Sequence, residues 1–435
     1  MSEDAERSAL FESQPPAHYA WNFMAFVLDS SLFTVGMSLI GTTTILPALI
    51  SRLTPSPVAV GLASGVASGG WLLPQLLVAS AVAGMRRKKP VVVWAAWLSR
   101  PLFFLLGWLV WQYAVSSPRW TLAALIGILG LFYVMDAVVS VPWFDLLAKA
   151  IPSRRRGRVI GTSQVLGGLG GMAVGVAVRY ILSDESPWAY PQNHAILLMA
   201  AAAVFLASAV GLTMLREPAG KEVSGPVPTF RQVLRGLPPL LRGDRSFSRL
   251  VIVRILAGSV TVASSFFVLH ASGIGGLPLA ATGLLVTAQV SGSLAAGLLM
   301  TYVQDRLGPL AHIRIIISLA GLPSLIVLLA GPFLAGCGGA ALYVYLVVFF
   351  LLGISLSSLG WPFFNFILEY AAEEQRPLYI GTINTLAALV MLAPPFGGWL
   401  LRTFSYPVLF AVALALAASA LTLSMRLPST RRAKA

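Results

Sequence analysis

The sequence predicts an all-α membrane protein of about twelve transmembrane helices, arranged as two six-helix repeats. Three observations carry that expectation: a scarcity of charge, a succession of long apolar runs, and residue patterns that return at a nearly fixed offset.

Of the 435 residues 57% are hydrophobic and 11% charged, with a mean hydropathy of +0.82. A soluble domain carries roughly 25% charged residues. The polar surface here is too small to clothe soluble helices, so the excess apolar surface must face lipid. The formal net charge of +14 would suggest nucleic acid in a soluble protein, but its placement argues for a membrane. Of 30 Lys and Arg, only Arg52, Arg119, Arg179 and Arg402 fall on outer loops or outer helix ends when the N-terminus is placed inside. This skew follows the positive-inside rule and places both termini in the cytoplasm. The basic clusters then lie against anionic headgroups, and no nucleic-acid partner is expected. A single cysteine, Cys337, rules out an internal disulfide, and the four histidines have no metal-ligand spacing. The polar, acidic first twenty residues carry no apolar core, so no removable signal peptide is expected.

A span needs about 20 apolar residues. Candidates fall at 21–50, 57–83, 90–113, 119–147, 157–182, 194–215, 247–272, 278–303, 310–334, 339–367, 378–401 and 405–426. The resulting organisation is a tail over 1–20, a six-helix half over 21–215, a basic cytoplasmic loop over 216–246, a second half over 247–426 and a basic tail over 427–435. In the loop, Phe230, Val233, Leu234 and Leu237 follow helical i, i+3, i+4, i+7 spacing, interleaved with Arg231 and Arg235, and Thr229 with Gln232 fits a capping box. A short amphipathic helix on the inner membrane surface is one reading; a Pro- and Gly-containing linker without structure is the other.

Internal repetition supports duplication. At an offset of 220, Pro142-Trp143-Phe144-Asp145 matches Pro362-Phe363-Phe364-Asn365, Arg156 matches Arg376, and Ile160-Gly161-Thr162 matches Ile380-Gly381-Thr382. Near an offset of 222, Gly61-Leu62 matches Gly283-Leu284.

Local motifs add a resemblance. Gly297 with Asp305-Arg306-Leu307-Gly308, Asp145 followed by Pro152-Ser153-Arg154-Arg155-Arg156-Gly157-Arg158, and Pro394 with Gly397-Gly398 resemble the loops and helix 11 of the major facilitator superfamily, over about residues 20–426. Two departures stand out. The loop Gly84–Lys89 lacks the acidic residue usual in the family, and helix 5 carries Gly167, Gly171 and Gly175 without the proline of the family's antiporters. The resemblance implies rocker-switch transport around a central site, lined by helices 1, 4, 7 and 10, and the physics of repeated halves also places the site at their interface.

Four charges fall deep in the spans: Asp29, Asp136, Arg100 and Arg254. A charge at the bilayer centre costs roughly 2.5–3.5 kcal/mol on insertion scales, so it faces a cavity or a partner. At 1.5 Å per residue, Arg100 and Asp136 both lie about 15 Å above the cytoplasmic ends of their helices, and Asp29 and Arg254 about 10–12 Å. The matched depths predict two pairs, Arg100–Asp136 within one half and Asp29–Arg254 between halves. Each is either a structural salt bridge or a group that titrates or binds an anion during transport. Asp29 is the favoured proton-coupling residue, because a pair that parts as the halves rock converts movement into proton uptake and release. Gln75, Gln164, Gln289 and Asn384 lie inside helices 2, 5, 8 and 11 as substrate contacts or interhelical hydrogen bonds. Asp145, the Arg154–Arg158 cluster, Asp305 and Arg306 are candidate gating residues at the cytoplasmic ends.

These features predict a secondary active transporter of the cytoplasmic (inner) membrane. It would be monomeric, move a small molecule by alternating access and be coupled to protons, with a lean towards export of amphipathic solutes. No ATPase loop occurs, and no cofactor is expected. The alternatives are a transporter-like protein for assembly or lipid handling, and a membrane enzyme, for which no convergent catalytic groups are evident.

Overall fold

The computed structural model describes residues 18–82, 84–218, 230–334, 339–372 and 375–429. Among these, twelve helical stretches are long and apolar enough to cross a membrane. They are α1 (Tyr19–Leu53), α2 (Pro57–Val82), α3 (Lys89–Tyr113), α4 (Pro118–Ala150), α5 (Arg155–Ile181) and α6 (Gln192–Met214), then α7 (Arg245–Gly273), α8 (Ala281–Leu307), α9 (Pro309–Gly331), α10 (Ala340–Tyr370), α11 (Leu378–Thr403) and α12 (Tyr406–Ser424). A further helix, Phe230–Gly243, does form in the central loop. Its expected capping residue Thr229 lies outside the described residues, as does Cys337.

Several spans are interrupted where the sequence withdraws a backbone donor. α2 breaks between Leu72 and Gln75 at Pro74, and α3 between Ser99 and Leu102 at Pro101, since proline supplies no N–H. α1 ends its first segment at Ile40, where Gly41 takes a left-handed φ of 51° and its N–H bonds the Met37 carbonyl. The second segment begins only at Ile45. Pro47 cannot donate to the Thr43 carbonyl four residues back, so Thr42–Thr44 remain unwound.

The repeat is visible in atomic detail. Arg156 Nε donates to the Ile151 carbonyl at 3.0 Å, and Arg376 Nε to the Ala371 carbonyl at 3.3 Å. The same offset of 220 separates both residues of each bond, and in each half the arginine satisfies a carbonyl just beyond the preceding span.

The most extensive contacts between the halves are made by two pairs of spans, α5 with α8 and α2 with α11. Advancing each span number by six turns one pair into the other, as a two-fold relation between duplicated halves requires. Glycines permit the approach. A Cβ on Gly61 would stand 2.1 Å from the Pro394 carbonyl oxygen, on Gly398 2.5 Å from that of Pro57, and on Gly283 2.3 Å from that of Gly175. All these contacts lie towards the end of the molecule away from the termini. Towards the end bearing the termini, Gly161 on α5 and Gly381 on α11 face open space. The halves are thus tightly apposed at one end and less closely packed at these glycines towards the other.

Candidate functional site

The deep charges do not pair as their depths predict. Arg100 is bound to Asp29, Nη2 to Oδ1 at 3.1 Å, with both side chains buried. Ser208 donates to Asp29 Oδ1 at 2.6 Å and Trp143 Nε1 to Oδ2 at 3.0 Å, while Arg100 Nη1 reaches the Phe205 carbonyl and Ser208 Oγ. These groups come from α1, α3, α4 and α6, all in the first half. The physical reason is close packing of α6 on α1: a Cβ at Gly211 would stand 2.9 Å from the Asp29 backbone nitrogen. Ser208, one turn back on the same face, is thereby delivered to the carboxylate. Both expected pairs are therefore corrected, and Asp29 is held inside one half.

The same correction releases the other two charges. Asp136 is half-buried and makes no hydrogen bond or ion pair among the described residues, though it lies within electrostatic reach of Arg100 and Asp29. It is seven residues before Trp143 on α4, hence on the same helix face and about 10.5 Å along the axis from the residue that bonds Asp29. Arg254, on α7, is half-buried over the Phe363 ring at 5.3 Å and has no acidic partner among the described residues. Asp29 and Arg254 do not pair: the Asp29 carboxylate is occupied by Arg100, Ser208 and Trp143 of its own half.

A cavity of about 330 Å³ lies between the halves, lined by α1 and α5 on one side and α8 and α10 on the other. The family resemblance implied helices 1, 4, 7 and 10. Close packing of glycine-rich α5 on α8 instead brings those two spans to the lining, with Gly168 against Leu294 and Gly171 against Val290. Gln164 and Gln289 both line it, whereas Gln75 and Asn384 do not. The unwound Thr42–Thr44 segment also reaches the lining, a contribution the hydropathy of α1 conceals. Thr43 Oγ1 donates to Gln289 Oε1 at 2.8 Å, a hydrogen bond between the halves. Ser64 and Ser265 form another at 2.6 Å.

At the end bearing the termini, Asp145 pairs with Lys88 of the loop before α3. Glu217 accepts from the backbone N–H groups of Lys88 and Lys89 at 2.9 and 3.0 Å and pairs with Lys149 at 3.2 Å. A carboxylate thus caps the α3 N-terminus, where the helix dipole favours negative charge. Lys88, Asp145 and Lys149 belong to the first half, and Glu217 follows its last span. Arg158, Asp305 and Arg306 are exposed, the last over the Tyr302 ring at 5.8 Å. The side chain of Arg154 lies outside the described set. Lys88 and Glu217 escaped the sequence reading; the acid missing from the loop between α2 and α3 is supplied from the chain just after α6.

A profile of the Major Facilitator Superfamily matches residues 28–392. The chain belongs to the major facilitator superfamily. As a member it is a secondary transporter with alternating-access conformations rather than an enzyme. No curated protein matches the chain. Among solved structures, the nucleoside transporter NupG is similar at a TM-score of 0.71 and 13% identity, covering 94% of this chain and 100% of NupG. A bacterial homologue of the iron transporter ferroportin in its inward-facing state gives 0.68 and 14%, covering 93% and 98%. A bacterial homologue of ferroportin in an outward-facing state gives 0.59 and 17%, covering 93% and 99%. The xylose transporter XylE from E. coli, in a partially occluded inward-open conformation, gives 0.65 and 14%, covering 95% and 100%. At these identities the likeness establishes the superfamily fold.

Proposed function

We propose that the protein carries a small solute across the cytoplasmic membrane by alternating access. The solute would bind in the cavity between α1, α5, α8 and α10, and transport would be coupled to protons through Asp136. The observation that carries this reading is the cavity itself: it lies at the interface of the halves, and the polar bonds Thr43–Gln289 and Ser64–Ser265 that cross the interface must break when the halves rock. With both termini cytoplasmic, as the charge skew supports, the less closely packed end faces inward. Asp145 and Arg158, on the rim of that end, remain the proposed gating residues for the closed counterpart.

Asp136 replaces Asp29 as the coupling residue on physical grounds. A coupling group must exchange its proton as access changes sides. Asp29 is locked by an arginine, a serine and an indole N–H that travel with it in one half. Asp136 is deep in a span and, among the described residues, makes no hydrogen bond that would have to break.

Orientation and coupling are separately testable. A single cysteine introduced in 183–193 should react with an impermeant reagent from outside and one at 86–89 should not; the reverse pattern inverts the topology. In proteoliposomes, a pH gradient should drive solute accumulation in the wild type and fail to do so in Asp136→Asn, while exchange at zero gradient persists. Accumulation that survives in Asp136→Asn refutes proton coupling through this residue. A purified, folded protein that moves no solute at all would favour the assembly or lipid-handling alternative.

A further inference from the structure

The cavity lining selects a chemical class. Among the described residues the lining includes no Asp, Glu, Lys or Arg and no aromatic ring. It therefore offers nothing to neutralise a buried ion, whose transfer from water is far more costly than that of a neutral polar group, and no ring face for an organic cation. The polar groups are hydroxyls and two amides, and their hydrogen bonds decide which role each has left to play.

A hydroxyl has one proton and two lone pairs. Thr34 Oγ1 spends its proton on the Ser30 carbonyl at 2.9 Å, and Ser38 Oγ on that of Thr34 at 3.0 Å. Ser293 Oγ donates to the Gln289 and Gly353 carbonyls at 3.1 and 3.2 Å, and Ser357 Oγ to Gly353 at 2.8 Å. Thr43 gives its proton to Gln289 Oε1. Each keeps lone pairs and no donor. Donors come from the amides and from Thr42: Gln289 retains its NH₂ group, and neither Gln164 nor the Thr42 hydroxyl makes a hydrogen bond among the described residues. One further polar atom, Thr44 Oγ1, is fully buried without a partner. The wall thus offers more acceptors than donors, at neutral charge. Its complement is a neutral molecule that brings several hydroxyl protons of its own and a few oxygens for the amides. The volume sits at the lower end of the roughly 300–1,000 Å³ typical of small-molecule sites.

We infer that the solute is a small neutral polyhydroxyl compound, a polyol or a sugar-like molecule, held by the hydroxyls of α1, α8 and α10 and by the amides of Gln164 and Gln289. This rests on the transport reading of the same cavity and narrows it, against the lean towards amphipathic solutes drawn from composition.

The test is counterflow in proteoliposomes holding the full-length protein. Three probe groups are compared: neutral polyhydroxyl compounds (xylitol, mannitol, myo-inositol, glucose and uridine), the lipophilic cation ethidium, and the anion glutamate. At least one polyhydroxyl probe should exchange, and its O-methyl derivatives, which keep the oxygens but lose donors, should exchange less. Gln164→Leu, which breaks no bond in the fold, should weaken binding of the active probe by about three- to tenfold, the size of one hydrogen bond, without lowering the thermal midpoint. Gln164→Asn should recover part of the loss. Exchange of ethidium or glutamate with none of the polyhydroxyl probes overturns the assignment while leaving the transport reading intact. So does an active polyhydroxyl probe indifferent to both O-methylation and Gln164→Leu. No exchange of any probe by folded protein overturns the transport reading, and this assignment with it.

Discussion

Arg100→Leu should destabilise the protein by about 3–5 kcal/mol, because it leaves the Asp29 carboxylate buried without its counter-charge. Asp29→Leu should be comparably damaging, since it strands the guanidinium, Trp143 Nε1 and Ser208 together. The pair sits among spans of one half, with Arg100 2% and Asp29 5% exposed, so water cannot relieve the loss. The double variant Asp29→Leu/Arg100→Leu should cost clearly less than the sum of the two, because the penalty of each single change is the unpaired charge left behind. Thermal unfolding of the four proteins in one detergent measures this directly. Additive losses, or a single variant as stable as the wild type, would contradict the pair as described. Because the pair does not span the halves, Asp29→Asn should also lower stability more than it alters proton coupling, the opposite of the ordering expected for Asp136→Asn.

This pair marks the limit of what the sequence made legible. Depth along a helix can be counted at a fixed rise per residue, and Asp29, Arg100, Asp136 and Arg254 were rightly placed deep in their spans. The azimuth of a side chain and the identity of the neighbouring helix cannot be counted. Depths that agreed to within a turn could not separate one set of partners from another. What distinguished them was Gly211, a single missing side chain that lets α6 lie on α1. The spans, the duplication and the superfamily were legible because they rest on composition, length and recurrence, which accumulate over many residues. Gln164 and Gln289 were legible as polar residues in apolar helices, but Gln75 and Asn384 carry the same signal and lie outside the cavity. The unwound Thr42–Thr44 had its own signal, a glycine followed by three threonines with Pro47 three residues further on, hidden inside a run apolar enough to read as one unbroken helix.

The duplication itself leads to the second large effect. Gly61 and Gly283, twins at an offset of 222, perform the same task on opposite flanks of the interface. Each lets a span of one half touch the backbone of the other at the end away from the termini. A side chain at either position would meet a carbonyl oxygen at 2.1 Å for Gly61 and 2.3 Å for Gly283, and backbone atoms cannot swing aside as a flexible side chain could. The clash is relieved only if the halves separate at that end, which is the movement that opens the opposite face. Gly61→Val and Gly283→Val should therefore spare the fold of each half and disfavour the state described. Overpacking costs typically 1–3 kcal/mol, so each substitution should shift the balance of access states about 5- to 150-fold, since 1.4 kcal/mol is a factor of ten. Because the two contacts lie on opposite flanks of one rocking movement, the double variant should reside almost wholly in the other state and transport correspondingly slowly. Gly381→Ala is the control: it adds a methyl group to the same residue type on a span of the interface, but into open space, and should leave the balance unchanged. Accessibility of paired reporter cysteines on the two faces reads the populations. If Gly61→Val and Gly283→Val both keep the wild-type labelling pattern, these contacts do not close the interface and the rocking axis must lie elsewhere.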